Sequence, residues 1–146
     1  MDMSEKIALR DVEGNNVPCL LDVRLEDELW LISATIETGA TWHGEGETLF
    51  EAFRALRRIP ESEGFRFLVA GARLNCRPTS MSAQAGASHV VPHYRRPSFN
   101  VVRNLIAFTF HRFAYLDIFA PAPLRKVGTV AEQDAYMDAW TTRALN

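Results

Sequence analysis

The sequence predicts a single α+β domain with a mainly antiparallel sheet of about five strands and two or three helices. Three observations carry that expectation. Two runs of β-branched and aliphatic residues, 17–25 and 29–36, flank a short acidic break at Glu26-Asp27-Glu28, the pattern of a β-hairpin. An amphipathic stretch follows at 48–59, and strand-like residues then resume before a capped helix near the end of the sequence. Strands, a helix, more strands and a last helix form an α+β order, not the regular alternation that builds a parallel sheet. A chain of 146 residues fits one domain, and burying roughly 70% of its unfolded surface leaves no need for disulfides or metal.

In chain order, a polar lead in which Ile7 and Leu9 alternate weakly reaches a turn at Gly14-Asn15-Asn16. In the second hairpin arm Leu29, Leu31 and Ser33 point one way and Trp30, Ile32 and Ala34 the other, so both faces are expected to be partly covered. Residues 38–46 carry three glycines with no sustained period and read as a loop. In the 48–59 helix Leu49, Phe50, Phe53, Leu56 and Ile59 recur at helical spacing, while Glu51, Arg54, Arg57 and Arg58 fall on the other face. Acids at its start and bases at its end suit the helix dipole, and Pro60 is expected to stop it.

Residues 65–69, continuing towards Leu74, read as a strand, with Gly71 marking a bulge or a close backbone approach. Regularity is then lost through Pro78, Gly86 and Pro92. The stretch 99–113 admits two readings: Val101, Val102, Leu105 and Ile106 suit a helix capped by Ser98, whereas Ile106, Phe108 and Phe110 alternate as in a strand. A short strand at 115–119 is ended by Ala120-Pro121-Ala122-Pro123. Thr129 with Glu132 three residues on forms a capping box, and Val130, Tyr136, Met137 and Trp140 give the last helix a partly buried face.

Composition narrows function. A net charge of −2 argues against a general polyanion binder, so nucleic acid is not an expected partner. The two cysteines, Cys19 and Cys76, form neither a CxxC pair nor a disulfide framework, which favours a reducing compartment. The first residues lack the pattern of a signal peptide and no run is long enough to span a membrane, so the chain reads as cytoplasmic.

No complete catalytic signature is present. His89 and His93 have the i, i+4 spacing of zinc ligands, but Pro92 lies between them, Val90 stands where HExxH needs its glutamate, and further ligation by His43 and Cys76 has no sequence support. No metal and no cofactor are therefore expected. Ser80 and Ser82 sit in Pro78-Thr79-Ser80-Met81-Ser82, which is not the GxSxG turn of a nucleophilic serine. Cys76 beside Arg73 and Arg77 reads as a small buried residue before it reads as an activated thiolate. The arginines divide between the first helix (Arg54, Arg57, Arg58) and the central region (Arg73, Arg77, Arg95, Arg96), where Tyr94 and Phe99 interleave. A solvated helix face with local ion pairs is the simpler account of them; if they converge, phosphate, carboxylate or an acidic surface is the natural ligand. Walker A and GxGxxG loops are absent.

The series Gly64-Phe65-Arg66, Gly71-Ala72-Arg73, Pro78-Thr79-Ser80-Met81-Ser82-Ala83-Gln84, Tyr94-Arg95-Arg96-Pro97 and Asp117-Ile118-Phe119-Ala120-Pro121-Ala122 resembles a widespread family of small uncharacterised bacterial proteins. The resemblance covers 49–122, about half the chain, and implies a small α+β domain without an established enzyme activity, weakly associated with toxin–immunity loci. The chain departs from the family at 86–94, where a Gly-rich turn is replaced, and 98–114 reads as an insertion.

Three functions follow as expectations. The first is a non-catalytic binding protein, in its sharpest form an immunity protein that neutralises a cognate toxin by contact, with Glu26, Asp27, Glu28, Glu45 and Glu47 facing a basic partner. The second is a small-ligand protein or enzyme with a site built from Arg73, Arg77, Ser80, Gln84, Tyr94 and Arg95. The third is a subunit of a homo-oligomer that associates through 99–113.

Overall fold

A computed structural model of the chain describes residues 2–78, 86, 88–92 and 116–145. The fold is α+β: a five-stranded antiparallel sheet in the order β4-β3-β2-β1-β5, a second small sheet and two helices among the described residues. The first four strands, β1 (Asp2–Arg10), β2 (Asn16–Glu26), β3 (Leu29–Ile36) and β4 (Thr41–Gly46), form a continuous meander. Helix α1 (Leu49–Ser62) then crosses the sheet, and β5 (Arg66–Phe67) pairs antiparallel with β1 at the far edge. A 3-10 turn at Ala70–Ala72 leads to the small sheet of β6 (Cys76–Arg77), β7 (His89–Pro92) and β8 (Leu116–Asp117), and α2 (Val130–Leu145) follows.

Alternation in the strands decides which side of the sheet is core. Ile7, Leu9, Cys19, Leu21, Val23, Ile32, Ala34 and Ile36 are buried beneath α1, while the residues between them face outward. Helix α1 presents Leu49, Phe50, Phe53 and Leu56 to this layer. Phe53 is the centre, with its ring edge-on to Phe67 at 5.4 Å and to Phe119 at 5.4 Å, an arrangement that adds to the stabilisation from burial alone.

The segment 38–46 is not a loop. Only its first residues turn, and β4 pairs with β3 from Thr35↔Thr41 to Trp30↔Gly46. Its glycines follow the strand period: Trp42, Gly44 and Gly46 face inward, and a side chain at Gly44 would meet the backbone of Ala52 and Leu56 in α1. Gly71 shows a similar constraint, because a Cβ there would lie 2.6 Å from Ile118 Cγ1 and 3.3 Å from Phe53 Cδ1. It marks a close approach within a 3-10 turn, and the expected 65–69 strand is reduced to β5.

Helix α1 also runs past Pro60. The ring is buried in the last turn, the helix ends at Ser62, and Gly64 takes the left-handed φ of +102° as Phe65 N–H donates to Pro60 O at 3.0 Å. Ile59, expected on the buried face, is 61% exposed, while Arg57, expected on the polar face, is fully buried. At the other end Thr48 caps Glu51 N–H, and Gly86 O accepts from Leu49 N–H at 2.8 Å. The capping box of α2 forms in both directions, Glu132 N–H to Thr129 Oγ1 and Thr129 N–H to Glu132 Oε1. The stretch 99–113 lies outside the described residues.

Candidate functional site

The hairpin register builds an acidic end on the main sheet. Glu26 pairs with Leu29, Leu31 with Glu45, and Trp30 with Gly46, so the tip of the β2-β3 hairpin and the end of β4 lie side by side. Glu26, Asp27, Glu28, Glu45 and Glu47 are therefore brought to one end of the sheet, and all five are exposed. The two-residue turn has φ of +49° at Asp27 and +65° at Glu28, the left-handed pair that a tight hairpin with right-twisted strands requires. Glycine or asparagine suits those positions, and a glutamate there costs on the order of 1 kcal/mol.

Beside this end, the outer face of the sheet carries a cleft of about 430 Å³. Cross-strand rows supply its lining: Asp22, Ser33 and His43 form one row, and Arg24, Leu31 and Glu45 the next. Ser4 Oγ donates to Asp22 Oδ1 at 2.5 Å, and Arg24 Nη1 pairs with Glu26 Oε1 at 3.4 Å with both side chains more than half exposed. Leu29 and Leu31 belong to the same outward set, and Leu29 is 40% exposed. The result is a partly apolar floor bordered by two carboxylates, Asp22 and Glu45, together with Arg24, Ser33 and His43. Sequence reading had singled out the acids but not the cleft, although the alternation of β3 and β4 puts Ser33, His43 and Glu45 on one face once β4 is recognised as a strand.

Arg73 and Arg77, the described arginines of the central region, take separate roles. Arg77 Nη2 donates to Asp134 Oδ1 at 2.9 Å, and Arg54 Nη2 donates to the same oxygen at 2.6 Å. Arg73 forms a bridge with Val127, its carbonyl accepts from Gln133 Nε2 at 2.8 Å, and its Nε is buried with no partner among the described residues. Arg73 and Arg77 share no partner there. Ser80, Gln84, Tyr94 and Arg95 lie outside the described residues.

Arg57 is the arginine that sequence reading misplaced. Its guanidinium donates to Glu61 Oε2 at 2.9 Å, Gly71 O at 3.0 Å, Gly128 O at 3.2 Å and Gln133 Oε1 at 3.3 Å. Glu61 Oε1 accepts from Val130 N–H at 2.9 Å, and Gln133 Nε2 donates to Gly71 O and Arg73 O. Burial pushes the Arg57 value down and the Glu61 value up, each opposed by its partner's charge. Every member connects α1 to the 70–76 segment or to α2, so this cluster joins elements and leaves no reacting group open to solvent. Its spacing signal was present, because Arg57 lies four residues after Phe53 and seven after Phe50, on the edge of the apolar stripe.

Among the described residues the reactive-looking side chains do not assemble. Cys76 is buried and its thiol is pushed up to about 11 by burial, against the pull of Arg73 and Lys126; Cys19 is likewise raised to about 11. His89 is exposed in β7 and interacts with Ser88 Oγ at 3.1 Å, while His93 lies outside the described residues. Among the described residues no three metal-ligating side chains gather, and no helix is long and apolar enough to cross a membrane. A second cleft, of about 290 Å³, lies between Glu5–Ala8 of β1 and the 117–121 segment. No family model matches the chain, and no curated protein does.

Proposed function

We propose that the chain is a non-catalytic binding protein whose acidic sheet end and adjoining outer cleft receive a basic protein partner, as an immunity protein receives its toxin. The observation that carries this reading is the hairpin tip. Glu28 occupies a left-handed position where glycine would be more stable, and the register sets Glu26 and Glu45 at the same sheet end. Local strain retained in an exposed turn is directed at something other than folding. The exposed acids of the sheet end supply long-range attraction for a cationic surface, and the adjoining partly apolar cleft supplies an area to cover after contact. Neutralisation by coverage requires no catalytic residues in this chain.

Co-expression with the product of the neighbouring gene tests it. A basic gene product should co-purify with the wild type, and the combined change Glu26→Lys, Glu28→Lys, Glu45→Lys should weaken the complex about a hundredfold or more. Failure of the neighbouring product to bind, or equal binding by a folded triple variant, would remove the reading.

A further inference from the structure

On the side of α1 facing α2, two arginines hold one carboxylate. Arg54 from α1 and Arg77 from β6 both donate through Nη2 to a single oxygen, Asp134 Oδ1, at 2.6 and 2.9 Å. Their side chains are 15% and 16% exposed, whereas Asp134 is 50% exposed, so the cations form the wall and the carboxylate sits at the mouth. The Phe50 ring fixes the wall: the Cζ atoms of Arg54 and Arg77 lie 5.7 and 5.8 Å from its centroid, and the ring is almost fully buried.

Among the described residues, the hydrogen-bond donors of this cradle are incompletely matched. Two guanidiniums face one directly bonded carboxylate, and Asp138, one helical turn further along α2, attracts Arg77 from a longer distance. Arg77 Nε is out of solvent and has no partner among the described residues. Two guanidiniums sharing one oxygen leave donor capacity unused, since each offers five N–H groups in a planar fork. A phosphate group, with more charge and three or more acceptor oxygens, would use that capacity better than a single carboxylate oxygen.

We propose that Arg54, Arg77 and Phe50 form a phosphate-binding cradle and that Asp134 is its internal occupant, displaced when a phosphate group enters. This site is independent of the acidic sheet end. Its ligand class follows from paired guanidiniums on a rigid aromatic support, a common basis for recognising phosphate.

The test is titration of the full chain with inorganic phosphate, and in parallel with a simple phosphomonoester, at constant ionic strength. Asp134→Asn should tighten phosphate binding about tenfold or more by removing the internal competitor. Adding Arg54→Gln or Arg77→Gln to that variant should abolish the gain, whereas adding Arg58→Gln, an exposed arginine on the same helix, should leave it intact. Tighter binding of the monoester assigns the site to a phosphorylated ligand, and equal binding assigns it to the free anion. If Asp134→Asn does not fold, the wild type serves, because Arg77→Gln must then weaken its phosphate binding about tenfold. No phosphate binding by folded Asp134→Asn, binding indifferent to Arg54 and Arg77, or an equal response to chloride would overturn the proposal.

Discussion

Arg57 and Glu61 form an ion pair inside the protein: the Nε to Oε2 distance is 2.9 Å and the two side chains are 0% and 3% exposed. One turn of helix separates them, and between them they reach Gly71, Gly128, Val130 and Gln133. Removing one charge leaves the other buried without compensation. Arg57→Ala is therefore expected to lower stability by about 3–5 kcal/mol, read from the denaturant midpoint. A loss below about 1 kcal/mol would show that the pair does not hold α1 to α2.

The contact between α1 and β4 depends on the absence of side chains at Gly44 and Gly46. Gly44→Ala would force a methyl group against the backbone of Ala52 and Leu56. A backbone contact cannot rotate away, so the expected cost is about 1–3 kcal/mol, visible as a lower midpoint with an unchanged slope.

The parts of this fold that were legible in the sequence are those whose signal is local. The β2-β3 hairpin, the start of α1 at Thr48 and the Thr129–Glu132 cap each depend on residues within a few positions of one another. The β4 strand was hidden because two of its three inward positions, Gly44 and Gly46, are glycines that allow the approach of a helix later in the chain. The charge of Arg57 points to the polar face of α1, whereas its place next to the Phe50–Phe53 stripe points to the buried one, and the structure follows position. The Arg54–Asp134 contact spans 80 residues, and no local pattern announces it. The acidic residues of the candidate site were legible individually, but their assembly at one sheet end required the register.

Glu28 provides a separable test of strain. Replacing it by glycine relieves the left-handed position and should raise stability by about 0.5–1 kcal/mol despite the added freedom of the unfolded chain. The same variant should bind the basic partner more weakly, since it loses a rim charge. Opposite changes in thermal midpoint and affinity are the expected pair of readings.

Acid titration should reveal Asp134. Burial acts to raise its carboxyl, but the hydrogen bonds and charges of Arg54 and Arg77 outweigh it and hold the group below its ordinary value of 3.8. A depressed carboxylate stabilises the fold above its unfolded value, and that contribution disappears as pH falls from about 3.8 through the folded value. Asp134→Asn should therefore show a shallower loss of stability on the acid side than the wild type, measured by denaturant melts across that range.

If the acidic sheet end guides a basic partner onto the outer cleft, as proposed, association must depend on charge. The association rate of the wild type with the neighbouring gene's product, measured at low and high salt, tests it most directly. Association should be fast, and its rate should fall at least about tenfold as salt is raised and to a similar extent in the Glu26→Lys, Glu28→Lys, Glu45→Lys variant at low salt, with a smaller change in dissociation. A rate insensitive to both salt and charge reversal, in a variant with an unchanged melting profile, would contradict it.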